Sequence, residues 1–225
     1  MTTNPPTLQV AMLLYPGLTL IDLVGPESVL SMHSRVHLVW KTREPVESDG
    51  GVRIVPNATF ADCPRDLDVL FVPGGFGTAA MMANEEVLAF LRDRGHTARF
   101  VTSVCSGSLI LGAAGLLDGY RASAHWSVLE LLEGFGAKPT KARVVTDRNR
   151  ITGGGATAGL DFGLTLLATL RDTSTAKLTQ LLMEYDPAPP FDAGSPESAG
   201  PQVTAQARAI IGPFVESARS VMATV

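Results

Sequence analysis

The sequence predicts an α/β fold: a doubly wound, mostly parallel sheet with helices on both faces, flavodoxin-like in arrangement, followed by a C-terminal arm and helix. Three observations carry this. Short, mostly apolar runs, of the kind found in strands buried on both faces, recur near residues 8–14, 69–72 and 100–104. Segments with helical spacing separate them. Glycine-containing turns stand at the ends of these runs, at Tyr15-Pro16-Gly17, Pro73-Gly74-Gly75 and Ser106-Gly107.

Taken in order, residues 8–14 read as a buried strand. Residues 19–30 carry Leu20, Leu23, Val24, Val29 and Leu30 at helical spacing, so a helix begins near Thr19 or Asp22 with an acidic residue in its first turn. Residues 36–40 form a second strand, and residues 46–56, centred on Asp49-Gly50-Gly51, a hairpin. The third buried strand starts at Asp68 and runs into the Pro73-Gly74-Gly75 turn. A helix over 85–94 is expected to stop at Gly95. Residues 100–104 supply a fourth strand, 108–114 a compact helix closed by Gly115, and 127–135 a further helix that also ends in glycine. Val144-Val145 and Ile151-Thr152 flank the turn signal Asp147-Arg148-Asn149. Residues 156–170 are small and apolar nearly all round, which predicts a buried helix.

Beyond Tyr185 the composition changes. Residues 186–201 hold five prolines and read as an extended arm, after which 203–225 return to helical spacing. The expected organisation is a catalytic domain over 1–185, with the arm and helix of 186–225 either part of the same domain or a dimer contact. A two-fold homodimer is the expected use of such a helix.

The whole chain has 225 residues, 45% hydrophobic and 18% charged, with a net charge of -4. These values describe a globular chain with a sizeable core. Slight acidity without clustered Lys and Arg argues against nucleic acid as a partner. Apolar runs fall far short of the roughly 20 residues that span a bilayer, and the N-terminus lacks the pattern of a secretory signal. No membrane partner and a cytoplasmic location are expected. Two cysteines, Cys63 and Cys105, make no disulfide framework.

Their settings differ. Cys105 stands between an apolar strand and Ser106-Gly107-Ser108 at a helix start, where a sharp turn projects a side chain into the crevice beyond the sheet. Helix-start amides and the positive dipole end favour a thiolate there. A small buried hydrophobe is the alternative. Cys63 lies in a loop between acidic residues, which disfavour a thiolate.

Asp22, in the apolar opening Thr19-Leu-Ile-Asp22-Leu, is either a carboxyl with a raised pKa that can carry a proton or a helix-capping carboxylate. Pro73-Gly74-Gly75-Phe76-Gly77 offers backbone amides suited to an oxyanion hole, with Gly75, Phe76 and Ser106 as substrate-positioning candidates. It matches neither a phosphate loop nor the dinucleotide pattern. His125, in an apolar setting, together with Gly154, Gly155 and Ala156, is a candidate for the pocket lining. No Cys/His cluster has metal spacing, so no metal is expected.

These motifs resemble the DJ-1/PfpI superfamily. They comprise the strand running into Pro73-Gly-Gly75, the Ser103-Val-Cys105-Ser-Gly107 elbow, and an acidic residue on the first helix. Within it the chain is similar to the isocyanide hydratases, through Asp22-Leu-Val-Gly-Pro26, Phe60-Ala-Asp-Cys-Pro64, residues 101–109, Leu111-Gly-Ala-Ala-Gly-Leu-Leu117, Ile151-Thr-Gly-Gly-Gly155 and residues 184–196. The resemblance implies a homodimeric, cofactor-free enzyme that hydrates an isocyanide to an N-substituted formamide through a cysteine thioimidate. Its nucleophile falls on Cys105 and its acidic partner on Asp22. Ser106 stands where family members often carry threonine, and Ala156 where a branched residue is usual, which implies a larger pocket. Competing readings are a non-catalytic ligand sensor, a thiol redox sensor, or a superfamily enzyme acting on glyoxals. The related transcription regulators carry a DNA-binding module after this domain, for which the sequence after residue 203 offers one helix only.

Overall fold

Strand β1 (Leu8–Leu13) is buried at every position but Gln9, as a mostly apolar run requires when both sheet faces are covered. The structure, a computed structural model, describes residues 7–224. After β1 come α1 (Leu20–Leu30), β2 (Ser34–Trp40), the small hairpin β3 (Val46–Glu47) and β4 (Arg53–Ile54), and β5 (Ala58–Thr59). The central part holds β6 (Val69–Val72), α2 (Thr78–Met82), α3 (Glu85–Thr97), β7 (Phe100–Val104) and α4 (Gly107–Ala113). Next are β8 (Arg121–Ala122), a 3-10 helix over Leu129–Phe135, β9 (Lys138–Pro139), β10 (Val144–Asp147) and β11 (Arg150–Gly153). Helices α5 (Ala158–Leu170), α6 (Thr173–Leu182) and α7 (Pro196–Met222) complete the chain.

The main sheet has the order β10-β11-β7-β6-β1-β2-β5. All its pairs are parallel except β10 with β11. The chain passes from β1 to β2 on one side and returns through β6 on the other. A switch point therefore lies between β1 and β6, and at such points the crevice opens beyond the carboxyl ends of the strands. Phe71 and Phe162 fill the core between sheet and α5, with ring centroids 5.5 Å apart.

Several expectations change in detail. Helix α3 continues past Gly95 to Thr97, because Gly95 packs on Leu116: a Cβ there would lie 2.8 Å from Leu116 Cδ1. Residues 129–135 adopt a 3-10 helix, closed by Gly136 in the left-handed region. Helices α2 and α6 were not anticipated. Helix α6 carried a readable start, since the Asp172 side chain caps it by accepting the Thr175 N–H at 2.8 Å.

The arm is helix-free only to Ser195, whose side chain caps α7, and at Gly200 (φ 77°) the chain turns within that helix. Helix α7 then lies on the chain's own body. Ala218 is fully buried, Arg208 stands 5.2 Å over the Trp126 ring, and Met222 occupies the space beside Gly134 that a side chain would need.

Candidate active site

Three turns at the carboxyl ends of β1, β6 and β7 converge at the switch point. The Tyr15 hydroxyl donates to Pro73 O at 2.9 Å, and the Thr19 N–H donates to Gly74 O at 2.9 Å, tying the start of α1 to the glycine turn. Asp22, fully buried on the first turn of α1, accepts the Gly74 N–H on Oδ2 at 3.0 Å. It is therefore not a helix cap, and α1 has no side-chain cap at Thr19. Gly74 permits the convergence: a Cβ there would lie 2.6 Å from Ser106 N, 2.7 Å from Cys105 Cβ and 2.8 Å from Asp22 Oδ2. No side chain fits between these groups.

Cys105 adopts φ 57°, a left-handed conformation that costs a non-glycine residue about 1–3 kcal/mol and recurs at functional turns. Neighbouring backbone holds it there. Its N–H donates to Gly153 O at 3.1 Å and Gly154 O at 2.7 Å, and its carbonyl accepts the His125 N–H at 3.1 Å. The side chain thus stands at the elbow, partly exposed to the cavity and facing Asp22.

Burial raises the Asp22 carboxyl to about 6, against the pull of the Cys105 thiol and the Gly74 N–H, which both favour the carboxylate. Asp22 Oδ1 is buried and has no well-aligned partner among the described residues. Burial also pushes the Cys105 thiol well above its usual range, and the facing Asp22 carboxylate adds to this, while the Ser106 N–H and hydroxyl pull it down. Burial is the larger of these effects and the Asp22 charge the next, and both oppose the helix-start amides at Cys105. With its raised carboxyl, Asp22 is placed to exchange a proton with the facing thiol. Cys63, by contrast, is buried under Arg94, and burial pushes its thiol up too.

The expected oxyanion hole is not open. The Gly75 N–H donates to Ser106 Oγ at 3.0 Å, and Ser106 Oγ also lies 2.8 Å from Thr78 Oγ1. These bonds lock the glycine turn against the elbow and leave the Gly75 amide unavailable to a ligand. Gly75, Phe76 and Ser106 do line the cavity, which measures about 190 Å³. His125, Ser127 and Ala156 line it together with Cys105. Gly154 and Gly155 do not line it. The Gly154 carbonyl is occupied by the Cys105 N–H, and Gly155 backs the His125 ring, where a Cβ would lie 3.0 Å from Cδ2. Thr19, Ile211 and Phe214 line the cavity without having been anticipated. Phe214 meets Phe76 edge to face at 5.6 Å. Nothing local to residues 211 and 214 signals this, because they sit on a helix distant in sequence. Among the described residues no group of three or more His, Cys, Asp or Glu is placed to hold a metal ion, and no helix is long and apolar enough to cross a membrane.

Residues 8–169 match the model of the DJ-1/PfpI family. The chain belongs to this family. It is 51% identical to an isonitrile hydratase of Pseudomonas putida over 93% of this chain and 92% of that protein. It also superposes on a crystal structure of a THiJ/PfpI family protein from Pseudomonas syringae with a TM-score of 0.94 and 54% identity, covering 96% of this chain and 91% of that one. The HTH-type transcriptional regulator GbdR of Pseudomonas aeruginosa is 33% identical over 70% of this chain, which corresponds to 45% of the regulator.

Proposed function

We propose that this chain is an isocyanide hydratase, a lyase that adds water to an isocyanide to give an N-substituted formamide. The observation that carries this is the buried Asp22 carboxyl facing the thiol of Cys105 at the end of a small, largely apolar cavity. Near-full-length similarity to an isonitrile hydratase supports it, since isonitrile and isocyanide denote one functional group.

The chemistry needs one nucleophile and one proton carrier. Asp22 takes the thiol proton, which removes its charge and lets the Ser106 N–H stabilise the thiolate. Sulfur attacks the terminal carbon of R–N≡C, and Asp22 returns the proton to that carbon, giving R–N=CH–S–Cys105. Water adds to the same carbon while Asp22 passes one water proton to nitrogen. The carbinol R–NH–CH(OH)–S–Cys105 then collapses: the C–S bond breaks and the hydroxyl proton returns through Asp22 to sulfur, releasing R–NH–CHO. Atoms and protons balance without a redox partner, so the enzyme is proposed to work without metal or cofactor.

Phe76, Ile211 and Phe214 are proposed to take the apolar R group. The participation of α7 in that wall supports treating residues 186–225 as part of the same domain as 1–185. Exposed apolar side chains on α1 and α6, among them Ile21, Leu178 and Leu181, supply a face for the homodimer proposed here. A cytoplasmic location accords with two unpaired thiols. The test is steady-state turnover of an alkyl isocyanide, followed by formamide appearance. Absence of formamide with wild-type protein would sink the assignment, as would full activity in Cys105→Ala.

A further inference from the structure

We propose that His125 is a further catalytic residue, whose Nε2–H donates a hydrogen bond to the substrate nitrogen as water adds to the thioimidate. This rests on the isocyanide hydratase assignment above.

Four polar side chains line the cavity besides Cys105: Thr19, Ser106, His125 and Ser127. Three have their hydroxyls paired within the protein. Thr19 Oγ1 donates to Asp49 Oδ2 at 2.5 Å, Ser106 Oγ contacts Thr78 Oγ1, and Ser127 Oγ lies 2.8 Å from His125 Nδ1. The Gly74 and Gly75 amides are also bonded internally. Among the described residues, His125 Nε2 makes no hydrogen bond.

Its tautomer follows from its neighbours. The Ser127 backbone N–H, which can only donate, points at Nδ1 at 3.4 Å, so Nδ1 accepts and the proton of the neutral ring sits on Nε2. Burial holds the imidazole below its ordinary range, which keeps it neutral near pH 7. The His125 N–H bond to Cys105 O sets the residue beside the nucleophile, and the ring's Cδ2 edge packs on Gly155, where a Cβ would lie 3.0 Å from Cδ2 and 3.7 Å from Nε2.

The chemistry selects when this donor acts. An isocyanide nitrogen has no lone pair, because the lone pair is on carbon. After sulfur attacks, the thioimidate nitrogen has one, and its basicity grows as water adds and the C=N electrons move onto it. A donor at nitrogen therefore adds little to substrate binding and most to the hydration transition state, which lowers kcat without raising KM when it is removed.

The decisive comparison uses wild type, His125→Phe and His125→Gln on one alkyl isocyanide. His125→Phe should lose about 10²-fold in kcat with KM nearly unchanged. Its Cys105 adduct, heavier by one substrate mass, should accumulate during turnover in intact-mass spectra. His125→Gln, which retains an N–H donor, should recover much of kcat. Wild-type kcat in His125→Phe, or equal losses in both variants, would overturn the proposal. Nitrogen-15 NMR of histidine-labelled wild type checks the tautomer without relying on any variant, and a proton found on Nδ1 overturns it equally. If wild type itself forms no formamide, the isocyanide assignment fails; the NMR result separates that failure from this one.

Discussion

Replacing Asp22 with Asn should make the protein more stable at neutral pH while stopping turnover. Asp22 is fully buried, and its carboxyl titrates near 6 in the fold against an ordinary value of 3.8. Between those values the folded state holds a proton that the unfolded chain has released, so stability falls as pH rises through this window. The fall amounts to about 3 kcal/mol in all and is complete by about pH 7. Asn cannot titrate, and its Oδ1 can still accept the Gly74 N–H. Offsets from altered packing are the same at every pH and drop out of the comparison. The stability difference between Asp22→Asn and wild type should therefore rise by about 2.5 kcal/mol from pH 4 to pH 7.5. For a domain of this size that is a relative gain in Tm of about 5–10 °C. Urea titrations at several pH values, run on both proteins, measure it directly. A difference that stays constant from pH 4 to 7.5 would refute a buried carboxyl with a raised pKa at this position. The prediction also explains why an apolar turn retains a charge that weakens the fold: the group is there for chemistry.

The remaining predictions concern the same cavity. In wild type, kcat/KM should fall below about pH 6 as Asp22 becomes protonated and can no longer accept the thiol proton; a pH–rate profile flat down to pH 4.5 would contradict this. Cys63→Ser should leave turnover intact, whereas Cys105→Ala removes it, as formamide assays on the two variants will report. Gly74→Ala forces a methyl between Ser106, Cys105 and Asp22, so it should cost about 1–3 kcal/mol in urea denaturation and lose most activity. Truncating Phe214 to Ala removes one wall of the cavity and its contact with Phe76. It should lower kcat/KM about tenfold for bulky isocyanides and less for methyl isocyanide, a difference read from a substrate-length series.

Much of this molecule was legible in local sequence. Runs such as Val69–Val72, apolar at every position, and Phe100–Val104, apolar but for the small Thr102 and Ser103, suit strands with both sheet faces covered and so point to a parallel sheet. The place of Cys105 was legible too, because an apolar strand followed by Ser-Gly-Ser and a helix puts it at the turn between them. Asp22 was only half legible. Its apolar neighbours signalled burial, but whether it capped its helix or faced the thiol depended on where Gly74, far along the chain, would lie. Gly75 shows the reverse: its amide looked open to a ligand, yet Ser106, folded against it, takes that hydrogen bond. Gly95 looked like a helix end until Leu116 packed upon it.

Composition and periodicity by themselves determined the layers of the fold and singled out Cys105, while leaving Asp22 open between a proton carrier and a helix cap. Strand order brought Cys105 and Asp22 together, and the return of α7 placed Ile211 and Phe214 in the wall of the same cavity. The distinction is physical. Burial patterns and turn chemistry act between near neighbours, so they are written in local order. A pKa, a hydrogen-bond partner and a cavity wall depend on which distant atoms share a few ångströms, and only the tertiary structure decides that.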